Sequence, residues 1–408
     1  LGATASHPAM LFYLDNWLSA ADGTALDATY MRSFYARAMD KMGMQPYGVA
    51  LEVMQDRGID TSRLETFIDR GLYTQGNRFA KMRRPAPDGV GAALQRGLNE
   101  NYARELLELH TLGVDGGYTQ QDIIEVARCF TGWTLTPLQH GQEFVYVDVL
   151  HDQGKKEVLG KTLKNRRAKD GEAVLDLLVA QPATAEFVSW KLAQKFVADD
   201  PPVELVGDMA ATFLATKGDI RQVLRTMFSS KEFWSPDVVG AKIKTPLEFV
   251  VSGVRATDGE IAPLPWLPGG RQPGLAFTLR QMGQQLYAAQ PPTGYGETAE
   301  DWSSTGDLLT RMKVGLGLAG NRIGGVRIDP PAWILDTGST EELVEKIAGS
   351  MLELDLSPEM LDALVAQVEN PNTLAAAGET LPRLPATKTT QMRLALGWLL
   401  ASPDFQRQ

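Results

Sequence analysis

Residues 97–119 read GLNENYARELLELHTLGVDGGYT and place Glu100, Arg104, Glu105, Glu108 and His110 within eleven positions. Carboxylates beside an arginine supply the parts of acid–base hydrolysis: one carboxyl held neutral by burial to donate a proton, a second kept ionised as base or nucleophile. Glu105 and Glu108 are the candidates for those two roles, with Arg104 beside them. On a helical wheel Glu100, Asn101, Arg104, Glu105, Glu108 and Thr111 share one arc, and Tyr102, Leu106, Leu107 and Leu109 the other. Arg104 lies four residues from both Glu100 and Glu108. An exposed ion-pair ladder worth roughly 0.2–0.5 kcal/mol per pair therefore explains the same residues without a substrate. Cover decides between the two readings, because a second layer over the polar arc would shift the carboxylate pKa values. His110 falls in the apolar arc, where a neutral core imidazole is the plainer reading.

A second constellation lies in 143-EFVYVDVLHDQGKKEVLGKTL-163. Period-two alternation on either side of an Asp-Gln-Gly turn predicts a two-stranded ribbon with His151 and Asp152 at its tip. Gly154 would let backbone approach a ligand closely; a plain polar hairpin turn explains the stretch equally well. The four histidines, His7, His110, His140 and His151, show no HExxH spacing. No metal is expected from spacing alone, and a metal-assisted hydrolase would have to join His151 and Asp152 to a carboxylate from elsewhere. The loop 291-PPTGYGETAEDW-302 carries Tyr295 and Trp302, aromatics that either line a sugar or peptide groove or anchor the loop itself. His7-Pro8 opens a helix with Asp15 and Asn16 two turns on. The chain has no Gly-x-Ser-x-Gly elbow, phosphate-binding Gly-rich loop or dinucleotide fingerprint, so serine hydrolase, P-loop and Rossmann classes fall away and no cofactor is expected.

These groups must be held by helices. Apolar residues recur at helical spacing through 170–198 and 202–230. Asp115-Gly116-Gly117 can stop the helix that carries the glutamates, and Thr119 with Asp122 forms a capping box for the next one. Stretches 257–273 and 287–297, rich in proline and glycine, read as breaks. The expected fold is mainly α: a multi-helix globular domain with one small two-stranded β-ribbon. A helical core lobe would span 1–256, with the ribbon at about 143–163 and extra helices at about 21–90, and a C-terminal helical lobe would span 274–408 and share its core. MFSSKEFW at 227–234 echoes LLASPDFQ at 399–406, as a weak repeat or as two helix boundaries of one type.

Bulk properties set outer limits. With 44% hydrophobic and 22% charged residues, the 408-residue chain is of globular composition. A net charge of −10 disfavours nucleic acid and anionic membrane surfaces as partners. A single cysteine, Cys129, forms no internal disulfide. No apolar run reaches the roughly 18–20 residues of a membrane span. The sequence begins Leu-Gly-Ala-Thr, without a methionine or signal peptide, so a processed or preceding segment is expected.

In order along the chain, HPAMLFYLDN, GLNENYARELLELHTLGVDGGYTQQDIIEVARCFTGW, LHDQGKKEVLG, PPTGYGETAEDW and LLASPDFQ resemble the bacterial domain of unknown function family 1800. The resemblance covers nearly the whole chain. It implies an exported protein of periplasmic or extracellular setting, often encoded beside a sulfatase-like companion, and supplies no established activity. Members usually carry a further N-terminal region that is missing before HPAML, and residues 21–90 look like inserted helices, a lid or partner surface. The motif positions carried over are His7, Asp15, Asn16, Asn99, Glu100, Asn101, Arg104, Glu105, Glu108, Thr131, Trp133, His151, Asp152, Lys155, Tyr295 and Trp302. Together these point to a hydrolase of envelope or extracellular polysaccharide. Its acidic cleft would lie between the Glu100–Glu108 helix and His151-Asp152, with Glu100, Asn101, Trp133, Lys155, Tyr295 and Trp302 contacting substrate. The rival is a non-catalytic module that docks on the sulfatase-like companion.

Overall fold

The computed structural model describes residues 2–14, 16, 19–21, 25–26, 94–95, 98–136, 143–164, 166–262, 274–329, 337–352, 355–370 and 387–408. The extra helices expected at about 21–90, and Asp15 and His140, lie almost wholly or wholly outside these residues. The chain divides into two compact units, Leu1–Thr184 and Ala185–Gln408. Among the described residues the architecture is mainly α with small two-stranded sheets, as the helical periodicity predicts.

In the first unit, α1 (Gly2–Ala5) and α2 (Pro8–Tyr13) precede the short strands β1 (Ala25–Leu26) and β2 (Leu94–Gln95), which pair antiparallel. Helices α3 (Glu100–Glu108) and α4 (Gln120–Phe130) follow and pack together. Asn99 caps α3 through its side chain, and Thr119 caps α4 with the expected Asp122 capping box. Tyr102, Ala103, Leu106 and Leu107 of α3 and Ile123, Val126, Ala127 and Phe130 of α4 are buried in one core. Each large side chain there contributes about 1.5–3 kcal/mol by leaving water. The stop of α3 comes earlier than the Asp-Gly-Gly run: Leu112 and Gly113 both donate to the Leu107 carbonyl, with Gly113 at φ 81°. His110 therefore lies beyond the helix, where the wheel does not apply.

The region 143–163 holds a hairpin, but not around Asp-Gln-Gly. Strand β3 (Trp133–Leu135) pairs antiparallel with β4 (Phe144–Tyr146), and β5 (Lys156–Val158) pairs with β6 (Lys161–Leu163) around Leu159-Gly160. Both turn residues have positive φ, 50° and 72°. Period two located the strands; pairing was set by burial, because Trp133, Thr134 and Leu135 are all buried and give no alternation to read. His151-Asp152 thus occupies the irregular link between two ribbons, after a 3₁₀ turn at Asp148–Leu150. Helix α5 (Lys169–Val179) completes the unit.

Helix α6 (Pro182–Phe196) begins three residues before the boundary, and the second unit continues with α7 (Val203–Ala215), α8 (Ile220–Phe228), α9 (Pro246–Ala256), α10 (Leu275–Gln281), α11 (Ala299–Trp302), α12 (Thr305–Ala319), α13 (Thr340–Met351), α14 (Pro358–Glu369), α15 (Lys388–Ala401) and α16 (Pro403–Gln406), with β7 (Glu260–Ile261) paired to β8 (Val326–Arg327). Its core is centred on α12 and α15, which touch closely because Gly315 faces the Gly397 carbonyl: a Cβ there would sit 3.1 Å from that oxygen. The two echoing stretches share a local device. Ser230 Oγ accepts from the Phe233 amide at 3.2 Å, and Ser402 Oγ from the Phe405 amide at 3.3 Å. A serine accepting from the amide three residues on is a capping geometry, and it accounts for the echo.

Candidate functional site

The chemistry-bearing residues of the first unit form two groups. On the polar face of α3, Glu100 and Arg104 lie 3.9 Å apart with side chains 40% and 41% exposed. Gln120 at the start of α4 bridges them, donating to Glu100 and accepting from Arg104 Nη2 at 3.0 Å. One rung of the expected ladder is present; among the described residues no ion pair joins Arg104 to Glu108. Glu105 and Glu108 are half-buried. Burial raises the Glu105 pKa, and the Glu108 charge raises it further against the opposing pull of Arg104. Burial and Glu108 likewise push up the neighbouring Tyr118 phenol. His110 is half-buried, and burial pushes its pKa down towards the neutral imidazole. Asn101 is exposed.

The other group is built from α4, the 147–156 link and α5. Gly132, at φ 82°, turns the chain directly after α4; a Cβ there would lie 2.6 Å from the Val147 carbonyl oxygen. That turn brings Thr131 against His151. The Thr131 carbonyl can only accept, so His151 Nδ1, at 2.8 Å, carries the proton and donates to it. On its other side His151 Nε2 lies 3.2 Å from Asp170 Oδ2 and 3.3 Å from Lys156 Nζ. Lys156 Nζ donates to Asp170 Oδ2 at 2.8 Å and to the carbonyls of Asp152 and Gly154. His151, Lys156 and Asp170 are 2%, 2% and 1% exposed. Asp170 Oδ1 also accepts from the Arg166 amide.

Asp152 faces the other way. It accepts two bonds from Arg128, from Nε at 3.0 Å and Nη2 at 3.1 Å, while Arg128 Nη1 reaches Glu125 at 2.7 and 2.8 Å. Burial alone would raise the Asp152 pKa, but the Arg128 hydrogen bonds hold it below the usual carboxylate value. The space above Gly154 belongs to this arginine: a Cβ at Gly154 would lie 2.4 Å from Arg128 Nη2. What approaches the glycine backbone is thus a side chain of the same chain.

A family model with the description "Protein of unknown function (DUF1800)" matches residues 1–407. The chain belongs to that family. No curated protein and no solved structure matches it. Several of the DUF1800 motif positions hold the unit together. Asn16 is fully buried and donates to the carbonyls of Phe130 and Trp133 at 3.3 and 2.9 Å, closing α2 onto the α4–β3 corner. Asn99 donates to the Leu14 carbonyl at 2.7 Å while capping α3. Trp133 is 5% exposed, between Phe130 and Phe144. In the second unit, Tyr295 donates to the Gln285 carbonyl at 2.6 Å and packs against Trp302, itself buried and bonded to the Gly296 carbonyl. Both aromatics anchor the 291–302 loop.

The structure brings Glu100, Arg104, Glu105 and Glu108 together on α3, and His151 and Asp152 together in the link. Among the described residues no hydrogen bond or ion pair joins the two sets. Lys155 is exposed, and the lysine that enters the cluster is Lys156. Sequence reasoning missed Glu125, Arg128, Lys156 and Asp170. The Glu125–Arg128 spacing of three on a helix was a readable signal; Asp170 had none. Among the described residues no group of three or more His, Cys, Asp and Glu is arranged to hold a metal ion, and no helix is long and apolar enough to cross a membrane.

Proposed function

We propose that this chain is a hydrolase of polysaccharide in the cell envelope or outside the cell, working through the α3 carboxylates. The observation that carries the reading is Glu105, a half-buried carboxyl whose proton affinity is raised by burial and by Glu108. Such a group serves as general acid: it gives its proton to the glycosidic oxygen as that bond breaks, while Glu108 takes a proton from the attacking water. Arg104, on the same face, lowers the cost of the developing negative charge, and exposed Asn101 and Lys155 are free to meet hydroxyls or anionic groups of the polymer. His151 and Asp152 enter this reading as supports, because their polar atoms are bonded within the fold. The exported setting rests on the family resemblance.

Replacing Glu105 and Glu108 singly by Gln and assaying a polysaccharide panel tests the proposal. Each change should lower turnover by about 10²-fold or more. Full turnover in both variants would end it. The mutual satisfaction of the Glu125, Arg128 and Asp152 charges favours a structural role for that group; the second reading, a non-catalytic module that docks on a sulfatase-like companion, rests on the family resemblance. Co-purification with that companion, together with inactivity of the unaltered chain on the whole panel, would select it.

A further inference from the structure

Helix α8 of the second unit presents a polar-apolar face that its own fold leaves open. Its inward side buries Val223 and Met227. Its outward side carries Arg221, Leu224, Arg225 and Phe228, spaced i, i+3, i+4 and i+7, and with Ser229 these line a shallow open depression. Asp219 is engaged as the α8 cap, with its side chain on the amides of Arg221 and Gln222. Among the described residues neither arginine side chain has a hydrogen-bond or ion-pair partner, so two guanidiniums stand on the surface of a chain of net charge −10.

The apolar part continues past the helix. Phe196, Phe228, Phe233 and Trp234 form a chain of rings at centroid distances of 6.0, 5.1 and 5.1 Å. Trp234 Nε1 donates to the Phe228 carbonyl at 2.8 Å, which fixes the indole. Phe196, Phe228 and Trp234 nonetheless remain 48%, 42% and 67% exposed. Preorganised aromatics beside arginines are the residue types on which protein interfaces concentrate their binding energy.

We propose that this stripe is a docking surface for an acidic amphipathic helix of another protein. Charge complementarity chooses the occupant. Arg221 and Arg225 are four residues apart, the spacing at which two carboxylates of a facing helix also repeat, and Leu224 and Phe228 lie between and beyond them to receive its apolar side chains. The rings meet at 66°, 89° and 81°, edge to face, so they offer no flat platform for successive sugar rings. The proposal is independent of the hydrolase reading, since it concerns a different surface and no chemical step.

Fluorescence anisotropy of the full chain with a labelled synthetic helix tests it. The helix carries a leucine stripe flanked by glutamates four apart, and a second helix has every Glu replaced by Gln. The Glu helix should bind and weaken with added salt. Its affinity should fall on the order of tenfold or more in R221E/R225E and in Trp234→Ala, while the Gln helix binds more weakly to the unaltered chain. Equal affinity for the two helices, or binding of neither, overturns the proposal. So does arginine-dependent binding of oligogalacturonate without binding of the Glu helix, which would make the surface a site for anionic polymer. The altered side chains are exposed, so a shared melting midpoint verifies their folds, and the Glu-against-Gln comparison needs no variant at all.

Discussion

The α3 face and the His151–Lys156–Asp170 cluster contain the same kinds of residue in opposite arrangements. In the cluster, opposite charges meet away from water and nearly every polar atom has a partner within the chain. On α3, two acids sit three residues apart, half-covered, with Glu105 raised towards protonation by burial and then by the Glu108 charge. A buried set bonded within the fold has little valence left for a partner, whereas two half-covered acids keep theirs. The contrast separates residues that hold this unit from residues left partly open to solvent.

The largest effect that would break the comparison lies in the cluster. Lys156→Met should cost about 3–5 kcal/mol in urea unfolding, because Asp170 is left buried without its cation. A cost below about 1 kcal/mol would mean that the cluster is not a mutually dependent set. Next comes Arg128→Met, expected to cost about 2–3 kcal/mol by stranding Glu125 and Asp152.

The pH dependence of the two regions should run in opposite directions. The folded Asp152 pKa is depressed, so its contribution is present above the ordinary Asp value and is lost as pH falls through the folded value; Arg128→Met should flatten that acid limb. The folded Glu105 pKa is raised, so its contribution is present below the ordinary Glu value and is lost as pH rises through the folded value. Glu105→Gln should therefore leave stability near neutral pH unchanged or up by at most about 0.5 kcal/mol, and flatten the limb just above the ordinary Glu range. In a carboxyl NMR titration, Glu108→Gln should lower the Glu105 midpoint; an unmoved midpoint would dissolve the pair. Smallest is Arg104→Ala, with a stability change within about 0.5 kcal/mol and a further rise of the Glu105 midpoint.

Much of this was legible in the chain. The capping box at Thr119 and Asp122, Pro8 in the first turn of α2 and the helical periods at 170–198 and 202–230 all rest on local physics, and each local preference was kept. The end of α3 was misplaced because the chain leaves the helix at Leu109, ahead of every glycine, and the amides of Leu112 and Gly113 then close onto the Leu107 carbonyl. Strand pairing around 143–163 was misread because Trp133, Thr134 and Leu135 are buried on both sides. Of the site, the α3 acids could be named from spacing. Lys156 could not, since it stands beside Lys155 in a run that reads as solvated, and only the distant Asp170 explains why one lysine of the two turns inward.

The link from Val147 to Lys156 has little regular structure, yet its carbonyls at Asp152 and Gly154 converge on the Lys156 ammonium, and its Asp152 amide is held by Thr131 Oγ1 at 2.8 Å. A segment that wraps its own cation in this way should resist cleavage and deuterium uptake like a helix interior, although sequence rules would mark it as a place to nick the chain. Limited proteolysis should spare it in the parent protein, and cut it first once the ammonium is removed.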